Sequence, residues 1–328
     1  MQKKTRTGIC FILFVTLVCL LWVSCSEAQD YPKSPIQIVI PFAPGGGNDI
    51  FMRTIADFVG ANLGGKIALV NKTGGGGLLG TSYVVNSKPD GYTLVNAVSD
   101  PLTIAPLFAP EPPYDTEKDL TYIAKLMFMP LCLCVRGDAP FKTIEELVAF
   151  AKANPRKLKA GIPGVGTTPH MIIELFNREA KIEITTVPFS GTGEMVPNLL
   201  GGHIDINVIS VTAIKPHYLS GKIRILAMCS PKRLADLPQI STMGEKGYKD
   251  LNIATVNGMA GPKGLAPAVV KKWEDALEKT LTDPKVIAMI DKLEGIVIDF
   301  KRHEAFRKEI LTDYATFKQI VPTIIETK

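Results

Sequence analysis

The chain has 328 residues, of which 46% are hydrophobic and 21% are charged. This composition excludes an intrinsically disordered chain and a polytopic membrane protein, and the length is enough for about two domains. The formal net charge is only +5, and the four histidines and six cysteines form no local metal-binding pattern. We therefore expect a globular protein with no nucleic-acid partner, no metal and no cofactor.

Residues 1–28 have the three parts of a secretory signal peptide. Basic residues come first, an apolar run over 9–23 follows, and residues 26–28 (Ser-Glu-Ala) provide the small side chains that signal peptidase needs. Cleavage after Ala28 predicts a periplasmic protein. Residues 23–25 (Val-Ser-Cys) also resemble the end of a lipoprotein cleavage box, so a lipid anchor at Cys25 and an uncleaved helix are the alternatives.

From residue 36 onward, short β-branched runs alternate with helical patterns. Strands are predicted over 36–41, 67–71, 92–97, 131–135, 158–162, 184–187, 204–209 and 223–229. Helices are predicted over 48–63, from the 74–77 turn toward 86, and over 143–153, 168–179, 266–281, 284–293 and 303–320. Since a strand, a glycine turn and a helix recur in this order, the sequence predicts an α/β protein with mainly parallel sheets covered by helices.

Enzyme motifs receive little support from the sequence. Gly75, Gly77 and Gly80 match the spacing of the dinucleotide fingerprint, between a predicted strand and a predicted helix. Parallel α/β folds need such glycine turns in any case, and export through the membrane argues against a nicotinamide cofactor. No P-loop, G-x-S-x-G or H-E-x-x-H sequence occurs. We therefore expect a protein that is not an enzyme.

Two similar turns, one in each half of the chain, are the most informative feature. Residues 41–49 (PFAPGGGND) and 161–170 (GIPGVGTTPH) each follow a predicted strand, contain several glycines and begin a helix. The free amides and positive dipole end of a helix N-terminus favour a carboxylate. Two such turns on facing domains would hold one anion from both sides. The alternative is that Asp49, Thr167 and Thr168 only cap their helices, which is compatible with ligand binding.

Further segments in the same order resemble one family. NKTGGGGLLGTSYV (71–84), VPFSGTG (187–193), NLLGGHIDI (198–206) and GPKGLAPAVVKKW (261–273) accompany the two turns, and the likeness extends over residues 31–328. The chain resembles the solute receptors of the tripartite tricarboxylate transporter family, also called the Bug family.

The resemblance implies a two-domain periplasmic binding protein of type II, which closes on its ligand like a flytrap. Domain 1 would comprise residues 31–131 and 256–328, and domain 2 would comprise residues 132–255. The implied ligand is a small organic acid, which a monomeric receptor passes to the large and small membrane subunits of a transporter. A receptor that feeds a membrane sensor kinase and an exported enzyme on the same scaffold are the alternatives.

The resemblance also implies a set of ligand-binding residues. One ligand carboxylate would lie between the 44–49 loop and the 164–168 loop. Domain 1 would contribute Phe42, Pro44, Gly45, Gly46, Asn48, Asp49, Asn71, Gly75, Gly76 and Ser99. Domain 2 would contribute Gly164, Gly166, Thr167, Thr168, His170, Phe189, Gly191 and Asp205. Of these, His170 is expected to orient its loop rather than to contact the ligand.

Two regions depart from the family pattern. Phe189 and Ser190 stand where the family commonly has tyrosine and lysine, so this wall is less polar and favours an aromatic or a shorter ligand. Asp100 places an acidic residue near the expected distal end of the ligand. A second free carboxylate there would be repelled, unless Asp100 points away.

Overall fold

The computed structural model describes residues 31–325. The predicted signal peptide and Cys25 lie outside the described residues. Within 31–325, no helix is long and apolar enough to cross a membrane.

The described residues alternate between strands and helices. The strands are β1 (Ile36–Ile40), β2 (Ile67–Asn71), β3 (Thr93–Val98), β4 (Leu120–Met129), β5 (Leu131–Arg136), β6 (Lys159–Ile162), β7 (Thr185–Pro188), β8 (Ile206–Ser210), β9 (Ile223–Cys229), β10 (Thr255–Pro262) and β11 (Val297–Arg302). The helices are α1 (Gly47–Leu63), α2 (Leu78–Val85), α3 (Ser99–Thr103), α4 (Ala105–Phe108), α5 (Ile144–Ala153), α6 (Thr168–Ala180), α7 (Thr192–Leu200), α8 (Val211–Leu219), α9 (Pro267–Leu281), α10 (Pro284–Asp291) and α11 (His303–Ile325).

The strands form two separate mixed sheets. The strand order is β11-β4-β10-β3-β1-β2 in the first sheet and β7-β6-β8-β5-β9 in the second. In the first sheet β10 and β11 run against the other four strands. In the second sheet β5 runs against the other four. The predicted α/β class with mainly parallel sheets is confirmed.

Five strands have an equivalent order in both sheets, and β11 is an additional edge strand of the first sheet. In each sheet, three parallel strands lie side by side with the second strand along the chain first, then the first and then the third: β2-β1-β3 and β7-β6-β8. The strand beside them, β10 in the first sheet and β5 in the second, follows a crossing of the chain from the other half of the molecule. We call the first sheet with α1–α4 and α9–α11 the first lobe, and the second sheet with α5–α8 the second lobe. The chain passes from the first lobe to the second between β4 and β5 and returns between β9 and β10.

Each lobe has its own apolar core, and one helix belongs to both. In the first lobe the alternating apolar residues of β1 pack with α1 and with the fully buried Trp273 of α9. The long helix α11 places Phe306 and Ile310 in the first lobe and Val321 and Ile324 in the core of the second. The last turns of α11 therefore pack on the second lobe, although the residues fall in predicted domain 1.

Candidate functional site

A narrow cavity lies between the two lobes, where the loops after β1 and β3 meet those after β6 and β8. The first lobe lines it with Phe42, Ala43, Gly46, Gly47, Asn48, Asp49, Asp100, Met129 and Thr255. The second lobe lines it with Leu131, Pro163, Pro169, Thr192 and Ser210. Because parallel strands end at the same edge of a sheet, loops from distant parts of the sequence meet here. We call this space the inner cavity.

The N-terminus of α1 opens toward the inner cavity. Its first-turn amides have no intrahelical acceptor, and its N-cap, Gly46, supplies no side-chain cap. A β-carbon at Gly46 would lie 2.2 Å from Thr192 Oγ1, and one at Gly47 would lie 2.5 Å from Ser210 Oγ. Glycine at both positions therefore lets the second lobe approach this helix end closely. The resulting group of amides and hydroxyls is of the kind that binds a carboxylate.

Two residues of the cavity wall have hydroxyls without a partner. Ser210 is 3% exposed and Thr255 is 5% exposed. Within residues 31–325, neither hydroxyl makes a hydrogen bond, and neither belongs to the side-chain atoms that are fully shielded from water. Both hydroxyls are therefore accessible from the cavity and available to a polar group of a ligand.

Asp49 holds the loop before α1 in shape. Arg53 donates to its carboxylate twice, from Nε to Oδ2 and from the guanidinium NH2 to Oδ1, each at 2.9 Å. The Gly45 amide and Asn71 Nδ2 donate to the same carboxylate at 3.0 Å each, and Asn71 also donates to the Phe42 carbonyl at 2.9 Å. Burial alone would raise the pKa of Asp49, but these hydrogen bonds outweigh it and hold the pKa below its usual value. Asp49 and Asn71 thus act on the shape of the loop.

Asn48 is oriented by a short chain of amide side chains. Asn257 Nδ2, on β10, donates to Asn48 Oδ1 at 2.9 Å. Asn96 Nδ2, on β3, donates to Asn257 Oδ1 at 2.5 Å. Because Asn96 and Asn257 are fully buried, they fix the Asn48 amide group at the cavity wall.

The loop before α6 is held by its own side chains. Thr167, the N-cap of α6, donates from Oγ1 to the Gly164 carbonyl at 2.8 Å. The Gly166 amide donates to His170 Nδ1 at 3.2 Å, and His170 Nε2 lies 3.3 Å from Glu174 Oε1. His170 is buried and is not part of the wall of the inner cavity. This position suits the expected role of His170 in orienting the loop.

Asp100 of the first lobe reaches across to the N-terminus of α6. The Thr168 hydroxyl donates to Asp100 Oδ1 at 2.6 Å, and both side chains are buried. Burial raises the pKa of Asp100 to about 6, although hydrogen bonding from Thr168 and Ser99 acts in the opposite direction. The protein's own carboxylate therefore occupies the helix end where the sequence predicted the carboxylate of a ligand. The sequence analysis expected both helix turns to bind one ligand carboxylate, and at the α6 turn Asp100 takes that position instead.

A second, more open cleft lies beside the inner cavity, and Pro163 lines both. We call it the outer cleft. The predicted site residues Gly75, Gly76, Gly164 and Phe189 line this cleft and not the inner cavity. The inner cavity holds Phe42, Gly46, Asn48 and Asp49 from the predicted set.

The other predicted residues lie around these two spaces. Gly166 and Gly191 let the lobes touch, since a β-carbon at either would lie 2.6 Å from a backbone atom of the first lobe. Ser99 is buried, and its hydroxyl accepts a backbone amide of β10 at 3.1 Å. Pro44 and Gly45 are exposed at the tip of the loop before α1.

Asp205 lies away from both spaces. Its Oδ2 accepts the Lys159 amide at 2.9 Å, at the beginning of β6. Ser210, at the cavity end of β8, is five residues further along the chain, which corresponds to about 16 Å in a strand. The structure therefore corrects the expected position of Asp205, which ties the beginnings of β6 and β8 together.

Comparison with known proteins identifies the family. The sequence model of the tripartite tricarboxylate transporter family receptor matches residues 51–309. The chain belongs to this family. A protein of Cupriavidus necator, named UPF0065 protein in gbd 5'region, is 35% identical over 269 residues, which are 82% of this chain and 81% of that protein.

Solved structures of receptors similar to this one agree with the assignment. The periplasmic binding protein BugD superimposes with a TM-score of 0.85 at 29% identity, covering 90% of this chain and 98% of that chain. MatC of Rhodopseudomonas palustris, solved with bound malate, superimposes with a TM-score of 0.83 at 26% identity, covering 89% of this chain and 100% of that chain. These relatives are solute-binding proteins, and the resemblance to Bug receptors is confirmed.

The sequence prediction missed three hydroxyls of the receptor's inner cavity: Thr192, Ser210 and Thr255. Ser210 directly follows the predicted strand 204–209, so a check of the residue after each strand of the second half would have found it. Thr192 begins α7 at the same edge of the second sheet. No comparable signal marks Thr255, because β10 runs against its neighbours and brings its first residue to the cavity.

Proposed function

We propose that this protein is a periplasmic receptor that captures a small organic acid between its lobes and delivers it to the large and small membrane subunits of a tripartite tricarboxylate-type transporter. The observation that carries the proposal is the N-terminus of α1, whose amides face the inner cavity together with the unpartnered hydroxyl of Ser210. Such donors bind a carboxylate without a cationic side chain. The malate bound to MatC supports a carboxylate as the ligand class.

Capture proceeds by closure of the two lobes. The inner cavity is narrow and lies between backbone segments that touch, so a ligand enters while the lobes are apart. The closing contact includes a hydrogen bond from the Ala43 amide to the Ser190 carbonyl at 3.3 Å. We assign residues 31–131 and 256–328 to one moving domain and residues 132–255 to the other. The two crossings of the chain between the sheets support this division.

The proposal includes a mature protein that starts after residue 28, acts as a monomer and has no enzyme activity. The family match and the similarity to the periplasmic binding protein BugD support the absence of enzyme activity. Capture and release of an unchanged acid is the activity that these relatives support.

The first test is native mass spectrometry of the mature protein purified from its exporting host, followed by a thermal-shift screen of organic acids. A retained small acid, or a clear rise in Tm with one class of carboxylate, is expected. If no mono-, di- or tricarboxylate and no amino acid shifts the Tm, the protein is not a receptor for organic acids. Delivery is tested separately, because uptake by vesicles that contain the membrane subunits should depend on added receptor.

A further inference from the structure

We propose that Asp100 makes the receptor selective for acids that carry a carboxylate at one end only, with a hydrogen-bond donor at the end that faces Asp100. This inference rests on the proposed function and narrows its ligand class. The donor is an amide, hydroxyl or ammonium group, and the excluded ligands are those with a second carboxylate at that end.

Asp100 occupies one of the two helix ends that could otherwise bind an anion in the inner cavity. The Thr168 hydroxyl donates to Asp100 Oδ1 at 2.6 Å, at the N-terminus of α6. Ser99 lies next to it at the start of α3 and, like Thr168, lowers the pKa of Asp100 against the effect of burial. A ligand carboxylate at this helix end would have to displace an acid group that belongs to the protein.

Among the described residues, no cationic side chain pairs with Asp100. The inner cavity is lined by two carboxylates, those of Asp49 and Asp100, and by no lysine, arginine or histidine among the residues described there. Asp49 is paired with Arg53, whose guanidinium lies 2.9 Å from Asp49 Oδ1. Asp100 is held by hydroxyl and amide donors alone. Two facing carboxylates without a cation between them repel each other strongly in a buried site.

The inner cavity keeps one anion site open, at the N-terminus of α1. The amides at the N-terminus of α1 and the hydroxyl of Ser210 remain without acceptors in the described chain. Apolar groups such as Met129, Leu131 and Pro169 form the wall between the polar parts of the cavity. This lining matches a molecule with one carboxylate, a short apolar body and a group that donates to Asp100.

Isothermal titration calorimetry with matched pairs tests this selectivity. Succinate, glutarate and adipate are each compared with their monoamides at pH 8, where Asp100 is ionised because its pKa is about 6. Each monoamide keeps the length and one carboxylate and replaces the second carboxylate by a neutral donor. For the length that fits, we expect the monoamide to bind the wild-type protein at least about tenfold more tightly than the dicarboxylate.

The same pairs are then measured on variants. Asp100→Asn should reduce the preference for the monoamide to less than about threefold, because the repelling charge is gone. Asp100→Ser is the second variant in case the amide is poorly accommodated, and Tm measurements confirm that both variants are folded. The control is Asp90→Asn at the other end of β3, where the exposed Asp90 accepts the Tyr92 amide at 3.0 Å and asparagine can do the same. The control should keep the wild-type preference.

Each outcome decides a separate question. Equal affinity of the wild-type protein for a dicarboxylate and its monoamide would overturn the role of Asp100. An unchanged preference in folded Asp100→Asn and Asp100→Ser would overturn it as well. If no member of the acid panel used for the thermal-shift screen binds the wild-type protein, the proposed function itself fails, and the selectivity of Asp100 fails with it.

Discussion

The helix N-termini of α1 and α6 are alike in sequence context and different in what they face. Both follow a parallel strand and a glycine-containing turn, and neither has a side-chain cap on its first amides. The amides of α1 face the inner cavity beside Thr192 and Ser210. The N-terminus of α6 faces Asp100 from the opposite lobe.

This difference shows that a local anion-binding motif becomes a ligand site only if the rest of the fold leaves its donors open. The α6 turn has the sequence of such a site, but a residue distant in the chain satisfies it. Among the described residues, no acidic side chain of the other lobe bonds to the α1 turn, and Asp49 beside it is paired with Arg53. Variants that change the surroundings of only one of these two helix ends should therefore have different effects on binding and stability.

The largest effect is expected when the second lobe can no longer approach α1. A β-carbon at Gly193, in the first turn of α7, would lie 1.9 Å from the Pro44 carbonyl oxygen of the first lobe. Gly193→Ala should leave each lobe folded, since alanine is favourable in a helix. It should weaken binding of the acid found in the screen by at least about 100-fold, or about 2.7 kcal/mol, in calorimetry.

The control for this prediction is Gly244→Ala, where the nearest atom would lie 3.5 Å from the new β-carbon. Small-angle X-ray scattering distinguishes the mechanism, because the wild-type protein and the control should become more compact with ligand. If Gly193→Ala becomes equally compact and binds normally, contact at Pro44 does not limit closure.

A smaller effect is expected from the open hydroxyl beside α1. Ser210→Ala should weaken binding by about 10- to 100-fold, because a hydrogen bond to a charged group contributes about 1.5–3 kcal/mol. The Tm of the protein without added acid should not fall, since the hydroxyl has no partner in the described chain. Ser220→Ala, on an exposed serine, should change neither quantity. A fall in Tm with unchanged affinity would assign Ser210 a structural role only.

Much of the fold follows from sequence patterns, because the strands of the parallel parts are apolar runs bounded by glycine turns. The predicted helix 143–153 matches α5, whose N-cap Thr143 accepts the Glu146 amide at 3.2 Å. The pattern did not mark α7 and α8 as helices, and both contain an internal proline, Pro197 and Pro216. β11 was also missed, since its residues are only partly buried and its charged residues interrupt the apolar pattern.

The site was only partly predictable, for a different reason. Motifs showed which loops carry helix ends, and these loops do meet between the lobes. Pairings over long sequence distance decide which donors stay open, such as Asp100 with Thr168 and Asn257 with Asn48. The family motif also does not reveal which end of a strand faces the cavity, and Asp205 lies at the beginning of β8, away from it.

Asp100, the acid group at the N-terminus of α6, should also make the free energy of unfolding depend on pH. The folded pKa of Asp100 is about 6, above that of an unfolded aspartate near 3.9, so the folded protein binds more protons between these values. Its burial therefore costs stability increasingly as the pH rises through this range, and the cost is complete above pH 6. Asp100→Asn should stabilise the protein at pH 7.5 by up to about 3 kcal/mol, since the pKa of Asp100 is raised by about two units and one unit is worth about 1.4 kcal/mol.

Chemical unfolding of Asp100→Asn and of the Asp90→Asn control at pH 7.5 and pH 4.5 measures this effect. The gain from Asp100→Asn should shrink at the lower pH, where the wild-type carboxyl is largely protonated. A gain of the same size at both values would show that the charge of Asp100 does not cause it.

The smallest effect on ligand affinity is expected from loss of the Arg53–Asp49 pair, which holds the loop before α1. Arg53→Met removes both guanidinium hydrogen bonds to Asp49 and the one to Asn71 Oδ1, and it leaves those that Asp49 accepts from Gly45 and Asn71. Because the Arg53 side chain is 49% exposed, solvent screens the pair and the loss should be about 1 kcal/mol of unfolding free energy. Binding should weaken by about three- to fivefold, since the loop that presents the amides is less well held.

The pH dependence of the destabilisation distinguishes loss of the Arg53–Asp49 pair from a general disturbance of the loop. The folded pKa of Asp49 is lowered, so the contribution of the pair is present above the pKa of an unfolded aspartate and is lost as the pH falls through the lowered value. The destabilisation by Arg53→Met should therefore decrease in acid. Arg233→Met is the control, because Arg233 is about as exposed as Arg53 and pairs with Glu245 at 3.0 Å in the second lobe. Since Glu245 is more exposed than Asp49, this variant should reduce stability less and leave affinity unchanged. An equal loss of affinity in both variants would show that the Arg53–Asp49 pair has no special part in binding.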